Sequence, residues 1–255
     1  MCKFVNRINT FLAMKSNQFF KNQALDALRG NWGKAVLLTI IYIFLVGAIT
    51  GPVSYQAVEM QNYMQDNVHT VRQAASLVQD PMYQALSRRM NGTSGLMTLV
   101  EILLIMPLSV GYANAMRKLL VERDVELVPT AFHIAFSNYW HKVWTMLWMS
   151  ILIGLWTLLL IIPGIVKAFS YAMTPYILEE NPELTSTEAI HRSRMMMRGH
   201  KFDLFWLILS FIGWGFLCLL TFGIGFFWLI PYMETTQAAF YEEVKADYAL
   251  NGGLD

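Results

Sequence analysis

The chain has 255 residues, of which 55% are hydrophobic and only 15% charged, against about 25% charged in an ordinary soluble domain. Nineteen basic and eighteen acidic residues leave a formal charge of +1, which excludes a disordered chain and a nucleic-acid binder. Two scattered cysteines, Cys2 and Cys218, exclude a disulfide framework and a cysteine-based zinc site. With a mean hydropathy of +0.40, the composition points to an all-α, polytopic helical membrane protein.

A hydrocarbon core about 30 Å thick takes roughly 20 apolar residues per helix. Residues 1–34 form a basic amphipathic segment without a signal-peptide core, and Met14-Lys15 offers an alternative start to Met1. The first span is expected over 35–50, closed by Gly51-Pro52. A polar, Gln-rich stretch over 52–94 follows, with apolar residues at helical spacing and a break at Pro81; it reads as two outer helices or a docking surface for a partner. Further spans are expected near 96–116, 143–162, 165–178, 202–220 and 223–233, within a single membrane domain over 35–245 that ends in a tail over 246–255. Ile162-Pro163-Gly164-Ile165 and the 221–225 segment Thr-Phe-Gly-Ile-Gly punctuate two tight helical hairpins, since Pro stops a helix and Gly permits the turn.

Orientation follows from Lys and Arg beside the spans. Lys3, Arg7, Lys15, Lys21, Arg29 and Lys34 precede the first span against one acid, Asp26. Arg117, Lys118 and Lys142, and then Arg192, Arg194, Arg198 and Lys201, fall on the same side if six spans cross. The expectation is a multi-pass plasma (inner) membrane protein with both termini cytoplasmic.

A shift of 59 residues brings Tyr112-Ala113 onto Tyr171-Ala172, His141-Lys142 onto His200-Lys201 and Gly164-Ile165 onto Gly223-Ile224. A fainter third copy places Arg29-Gly30-Asn31-Trp32 beside Arg198-Gly199-His200-Lys201. Each unit reads as an amphipathic helix on the inner headgroup layer, a polar elbow and an entering membrane helix. The elbows are Asn31 and Trp32, His141 and Lys142, and His200 and Lys201. Thr185-Ser186-Thr187-Glu188 has the pattern of a capped helix start.

Ionisable residues within spans are functional candidates, because an unpaired one costs a few kcal/mol. Glu101 and Lys167 lie at similar expected depth and form a candidate intramembrane pair; the competing reading has Lys167 snorkelling and Glu101 at a wetter level. Pro175-Tyr176 and Pro231-Tyr232 end inward-running spans and are candidates for an inner vestibule, or simply interfacial anchors. No catalytic, cofactor-binding or metal-ligating set is expected: nucleotide and hydrolase motifs are missing, and Glu188-x-x-His191 has no second copy.

The run Ala189 to Lys201 (AIHRSRMMMRGHK), Ser210 to Trp214, Leu220 to Gly225, Pro231-Tyr232 and Ala239-Phe240-Tyr241-Glu242 resembles the bacterial integral membrane family catalogued as domain of unknown function 975. The resemblance implies a bacterial plasma-membrane protein and carries over no activity. Two functional classes remain open. One is a non-enzymatic transport-associated, scaffold or lipid-organising module, whose partners are the bilayer, other membrane proteins or further copies of itself. The other is a membrane-embedded enzyme, or the membrane half of one, acting on lipid headgroups with Glu179, Glu180, His191 and His200 as its available cluster.

Overall fold

The computed structural model describes residues 15–68, 76 and 79–250. The side chains of 52–54, 90–98 and 101 are outside that description. So are the alternative start at Met14 and the last residues, 251–255, of the expected tail. Among the described residues the secondary structure is helical, without strands. The helices are α1 (Asn17–Leu28), α2 (Trp32–Asn67), α3 (Pro81–Val100), a π-helical turn (Glu101–Ile105), α4 (Met106–Glu122), α5 (Leu127–Phe136), α6 (Tyr139–Leu159), α7 (Ile161–Tyr171), α8 (Thr174–Glu180), α9 (Ser186–Met196), α10 (Lys201–Leu209), α11 (Ile212–Leu220) and α12 (Phe226–Leu250).

Four segments of the described chain are long and apolar enough to cross a membrane: Trp32–Gly51, Tyr139–Leu159, Ile161–Glu180 and Lys201–Leu220. Their outward faces are apolar. Leu158, Ile162 and Leu220 stand exposed, and Phe222, at a chain reversal, is 98% exposed. Contiguous exposed apolar surface of this kind belongs against lipid.

Several boundaries differ from the sequence expectation, each for a local reason. Gly51-Pro52 closes the apolar span, as expected, but not the helix, because α2 continues to Asn67; a helix survives Pro at the loss of one backbone bond. The first reversal lies at Leu160, whose extended backbone (φ −157°) separates α6 from α7. Pro163 and Gly164 sit instead in the first turn of α7, where an N–H is not needed for the helix ladder. Gly164 is required there, since a Cβ would lie 2.2 Å from Thr157 Oγ1. The expected fourth span is split at Ala172-Met173 into α7 and α8, and the fifth at Ser210-Phe211 into α10 and α11. At the second reversal Gly223 takes φ 86°, and Thr221 Oγ1 accepts from the Gly225 N–H at 3.0 Å. After it α12 runs unbroken through Pro231.

The chain divides into two compact units: Ile41–Met106, and Met1–Ile40 with Pro107–Asp255. In the smaller unit the break expected at Pro81 is the start of α3. Asp80 caps it, accepting from the N–H groups of Met82 and Tyr83 and from the Tyr63 hydroxyl at 2.7 Å.

The larger unit repeats one plan three times. A helix of ten to twelve residues leads to a left-handed residue, then an entering helix and a returning helix. The short helices are α1, α5 and α9. The left-handed residues are Gly30 (φ 84°), Asn138 (φ 45°) and Gly199 (φ 87°), a conformation that Gly and Asn adopt with least strain. In the first module the start of α2, Trp32–Ile40, enters and α4 returns; in the second α6 enters and α7–α8 return; in the third α10–α11 enter and α12 returns.

The apolar faces of the short helices, expected against headgroups, are covered by protein. Phe20, Ala24 and Leu28 of α1 are fully buried, and Phe20 meets Phe240 of α12 with centroids 5.5 Å apart. Ser193 of α9 donates to the Ser170 carbonyl of α7 at 3.0 Å and accepts from the Met173 N–H. Against α4, the α5 backbone comes so close that a Cβ on Gly111 would stand 2.2 Å from the Ala131 carbonyl oxygen. Each short helix therefore packs on the hairpin of another module: α1 on the third, α9 on the second, α5 on the first. The three modules close into a ring.

Two outcomes follow from these contacts. Gly111→Ala forces α4 and α5 apart, because the obstacle is backbone, and is expected to cost on the order of 1–3 kcal/mol. Thermal unfolding in detergent reads this, and an unchanged midpoint contradicts the close packing. In the smaller unit the Tyr63 hydroxyl first, then the Tyr83 and Met82 amides, hold the Asp80 carboxyl below its ordinary 3.8. A depressed folded value gives stability that is complete above the ordinary pKa and lost as pH falls through the lowered one. Amide-exchange protection at the start of α3 is therefore expected to hold at pH 5 and decline towards pH 3, with the step gone in Asp80→Asn.

Candidate functional site

The returning helices bring their ends together, and the polar residues there settle on one another. Glu180 closes α8 and is the hub. Its Oε1 accepts from Arg117 Nη1 of α4 and from Lys245 Nζ of α12, both at 2.5 Å, while Oε2 accepts from the Tyr241 hydroxyl at 2.6 Å. Arg117 also donates to Glu242 at 2.8 Å. One guanidinium thus bridges carboxylates from two other modules. Burial works against the Arg117 charge, but Glu242 and Glu180 outweigh it and raise its pKa. Burial first, then the bond to Glu180, drives the Tyr241 hydroxyl well above its ordinary value, so it stays a proton donor. Tyr241 stacks on Tyr176 at 4.7 Å between centroids. Beside the junction, Ile177, Asn181, Arg192 and Tyr248 help enclose a polar cavity of about 340 Å³.

Lys142 forms a second charge centre, and its side chain is 1% exposed. Its ammonium donates to the Ile134 carbonyl, to Ser137 Oγ at 2.9 Å and to Glu179 Oε2 at 2.8 Å. Three donors meet three acceptors, the condition under which a buried ammonium is tolerated.

This bond is one of three equivalent ties, each joining an elbow to the end of its own returning chain. In the first module Asn31 Nδ2 donates to the Arg123 carbonyl, just past α4, at 3.1 Å. In the third, His200 Nε2 pairs with Asp247 Oδ2 at 3.0 Å. Of the remaining elbow residues, His141 offers its carbonyl to Thr145, Lys201 opens α10, and Trp32 opens α2 and lines an apolar groove.

The other sequence candidates are placed apart. Lys167 lies over Trp156 at 4.6 Å; the side chain of Glu101 is outside the described residues, so the pairing expected between them stays untested. Pro175 offers its carbonyl to Asn114, and Tyr176 is buried in the junction with its hydroxyl unpartnered. Pro231 accepts from Thr235, and Tyr232 meets Phe211 edge-on at 5.2 Å, facing an apolar groove. Glu179, Glu180 and His200 each have separate partners, while His191 lines a different cavity with Trp148. The capped start at Thr185 is present in full: Thr185 and Glu188 exchange side-chain and backbone bonds. No group of three His, Cys, Asp or Glu suited to a metal occurs among the described residues.

Arg117, Tyr241, Glu242 and Lys245 are not among the candidate site residues of the sequence, although Arg117 counts there among the bases beside the spans. The usable signal was spacing. Arg117 and Glu180 are 63 residues apart, and Glu242 follows 62 further on, close to the 59-residue repeat.

Residues 127–248 match the family described as a protein of unknown function, DUF975. Over this part the chain is similar to that family. The DUF975 match opens on Leu127, the first residue of α5, and closes at Tyr248 in the last turn of α12. It therefore takes in the second and third modules whole. Comparison with curated proteins and with solved structures finds no match.

Removing one member of the Lys142–Glu179 pair strands the other in the protein. Lys142→Met alone is expected to cost about 3–5 kcal/mol, and Lys142→Met with Glu179→Met to recover most of that. Additive losses in a double-mutant cycle contradict the coupling.

Proposed function

We propose that this DUF975 protein is a six-span plasma-membrane module with both termini cytoplasmic, a scaffold that organises lipids or partner membrane proteins rather than turning over a substrate. The single observation that carries the reading is the junction itself. Arg117, Glu180, Glu242, Lys245, Lys142 and Glu179 are consumed in bonds to one another and to backbone. Chemistry or ion coupling calls for acids and bases that exchange partners, whereas groups spent this way fix helix positions.

The ring supports the span count. Three modules, each with one entering and one returning chain, make six passes, four of them in the apolar segments identified above. Elbow-to-end ties hold the starts of entering helices beside the ends of returning ones. They collect Lys34, Arg117, Lys142 and Lys245 at one end, which supports a cytoplasmic assignment for that end.

A cysteine scan in a Cys2→Ser, Cys218→Ser background tests the topology. Ala75→Cys is expected to label from outside only, and Asn181→Cys from the cytoplasm only; reversed labelling overturns the orientation. Gentle purification followed by native mass spectrometry tests the scaffold role. A chain that runs as a monomer stripped of both lipid and protein overturns it.

A further inference from the structure

On the outside of the ring, where the first module meets the third, lies a groove of about 470 Å³, within the roughly 300–1,000 Å³ of small-molecule sites. Trp214 and Leu217 of α11 and Trp228 of α12 form its walls, with Trp32 and Leu25 of the first module opposite. The lining is almost wholly apolar, and three indoles give it rigid, flat sides. Such a surface takes a hydrocarbon chain.

A cation stands two rings away from the groove. Lys21 lies one turn before Leu25 on α1, and its ammonium sits 4.4 Å from the centre of the Phe211 ring. Phe211 in turn packs edge-on against Tyr232, which lines the groove. An ammonium has three donors. Lys21 gives one to the Ser210 carbonyl at 3.3 Å, and it has no carboxylate partner among the described residues. Partial burial lowers its pKa, as for a positive charge without a counter-ion. Lys15, Lys34, Arg117, Lys142 and Lys245, by contrast, meet acids directly. A half-buried ammonium beside an apolar groove matches a phosphate joined to an acyl chain.

We infer that this groove holds a phospholipid with an anionic headgroup, its acyl chain between Trp32, Trp214 and Trp228 and its phosphate at Lys21. The inference deepens the lipid-organising role and rests on the membrane-embedded reading. Because α1 and α2 belong to the first module and α11 and α12 to the third, the lipid bridges the seam where the ring closes.

The test uses the full chain in detergent, with dioleoyl phosphatidylglycerol and dioleoyl phosphatidylcholine added in equal amounts and retention read by native mass spectrometry. The wild type is expected to keep one phosphatidylglycerol in preference. Lys21→Gln should reduce that preference about fivefold, the effect of one basic residue near an anionic surface. Leu217→Trp, which fills the groove, should reduce retention of both lipids, while Lys167→Gln changes neither. Cys218, which also lines the groove, gives a reading independent of those substitutions. In a Cys2→Ser chain, maleimide labelling of Cys218 should slow severalfold when phosphatidylglycerol is present. Retention that ignores both Lys21→Gln and Leu217→Trp, or labelling that ignores the lipid, overturns the site. The cysteine scan for topology is unaffected by either result, so failure of the groove and failure of the membrane reading are told apart.

Discussion

A single carboxylate, Glu180, is the constraint on which the larger unit turns. It ends a seven-residue helix, α8, too short to be stable by itself, and receives hydrogen bonds from two other helices. Arg117 answers it from the first module, and Tyr241 and Lys245 from the third. A carboxylate withdrawn from bulk water needs this many donors to be tolerated, and donors on separate helices can reach it only if all three returning helices end at one level. The desolvation of one acid thereby becomes a condition on the register of three helices. Burial of pairs like these contributes little net stability, whereas loss of one partner is costly.

The ring supplies the apolar counterpart. Each short helix is amphipathic and lacks a core of its own, and its apolar face lies on a hairpin that belongs to another module. Module and folding unit therefore differ: no module covers its own short helix, and closure needs all three. Small residues set the separation at the tightest of these contacts, Gly111 against Ala131 and Ala135. The elbow ties act at a shorter range, fixing each entering helix to the end of its own partner. Left-handed residues at the elbows make the sharp change of direction from a helix lying on one neighbour to a helix running beside another.

Much of this was legible in the sequence, because it rests on period and punctuation. The apolar runs, the polar elbows, the capped start at Thr185 and the partial repeat are local features that survive translation into structure. The first reversal lies a few residues before Pro163, because Pro suits a first helical turn as well as a stop, whereas the second lies at 221–225, where its Gly residues place it. The helix through Pro52 shows the same ambiguity from the other side. The junction was less legible. Arg117, Glu180 and Glu242 look like ordinary interfacial charges, and only the three-module ring places them together. Lys142 was visible as an elbow residue, but its burial depends on Glu179, Ser137 and the Ile134 carbonyl meeting in space.

The boundaries of the DUF975 match gain meaning from this geometry. From Leu127 to Tyr248 the match takes in two modules, yet two modules cannot close the ring. The face of α12 that carries Ala239 and Phe240 is buried in the whole chain, and Phe20 of α1 packs on it. Without α1 that face would be bare, and without α4 the carboxylates of Glu180 and Glu242 would lose Arg117. The first module completes both surfaces, although the chain inserts a second compact unit, Ile41–Met106, that takes in most of α2. Its tie, Asn31 to the Arg123 carbonyl, spans that insertion with a backbone acceptor in place of a side-chain acid. A tie of this kind depends on where the chain passes and not on which residue sits there. The returning end of the first module is thus held in place by a contact to backbone.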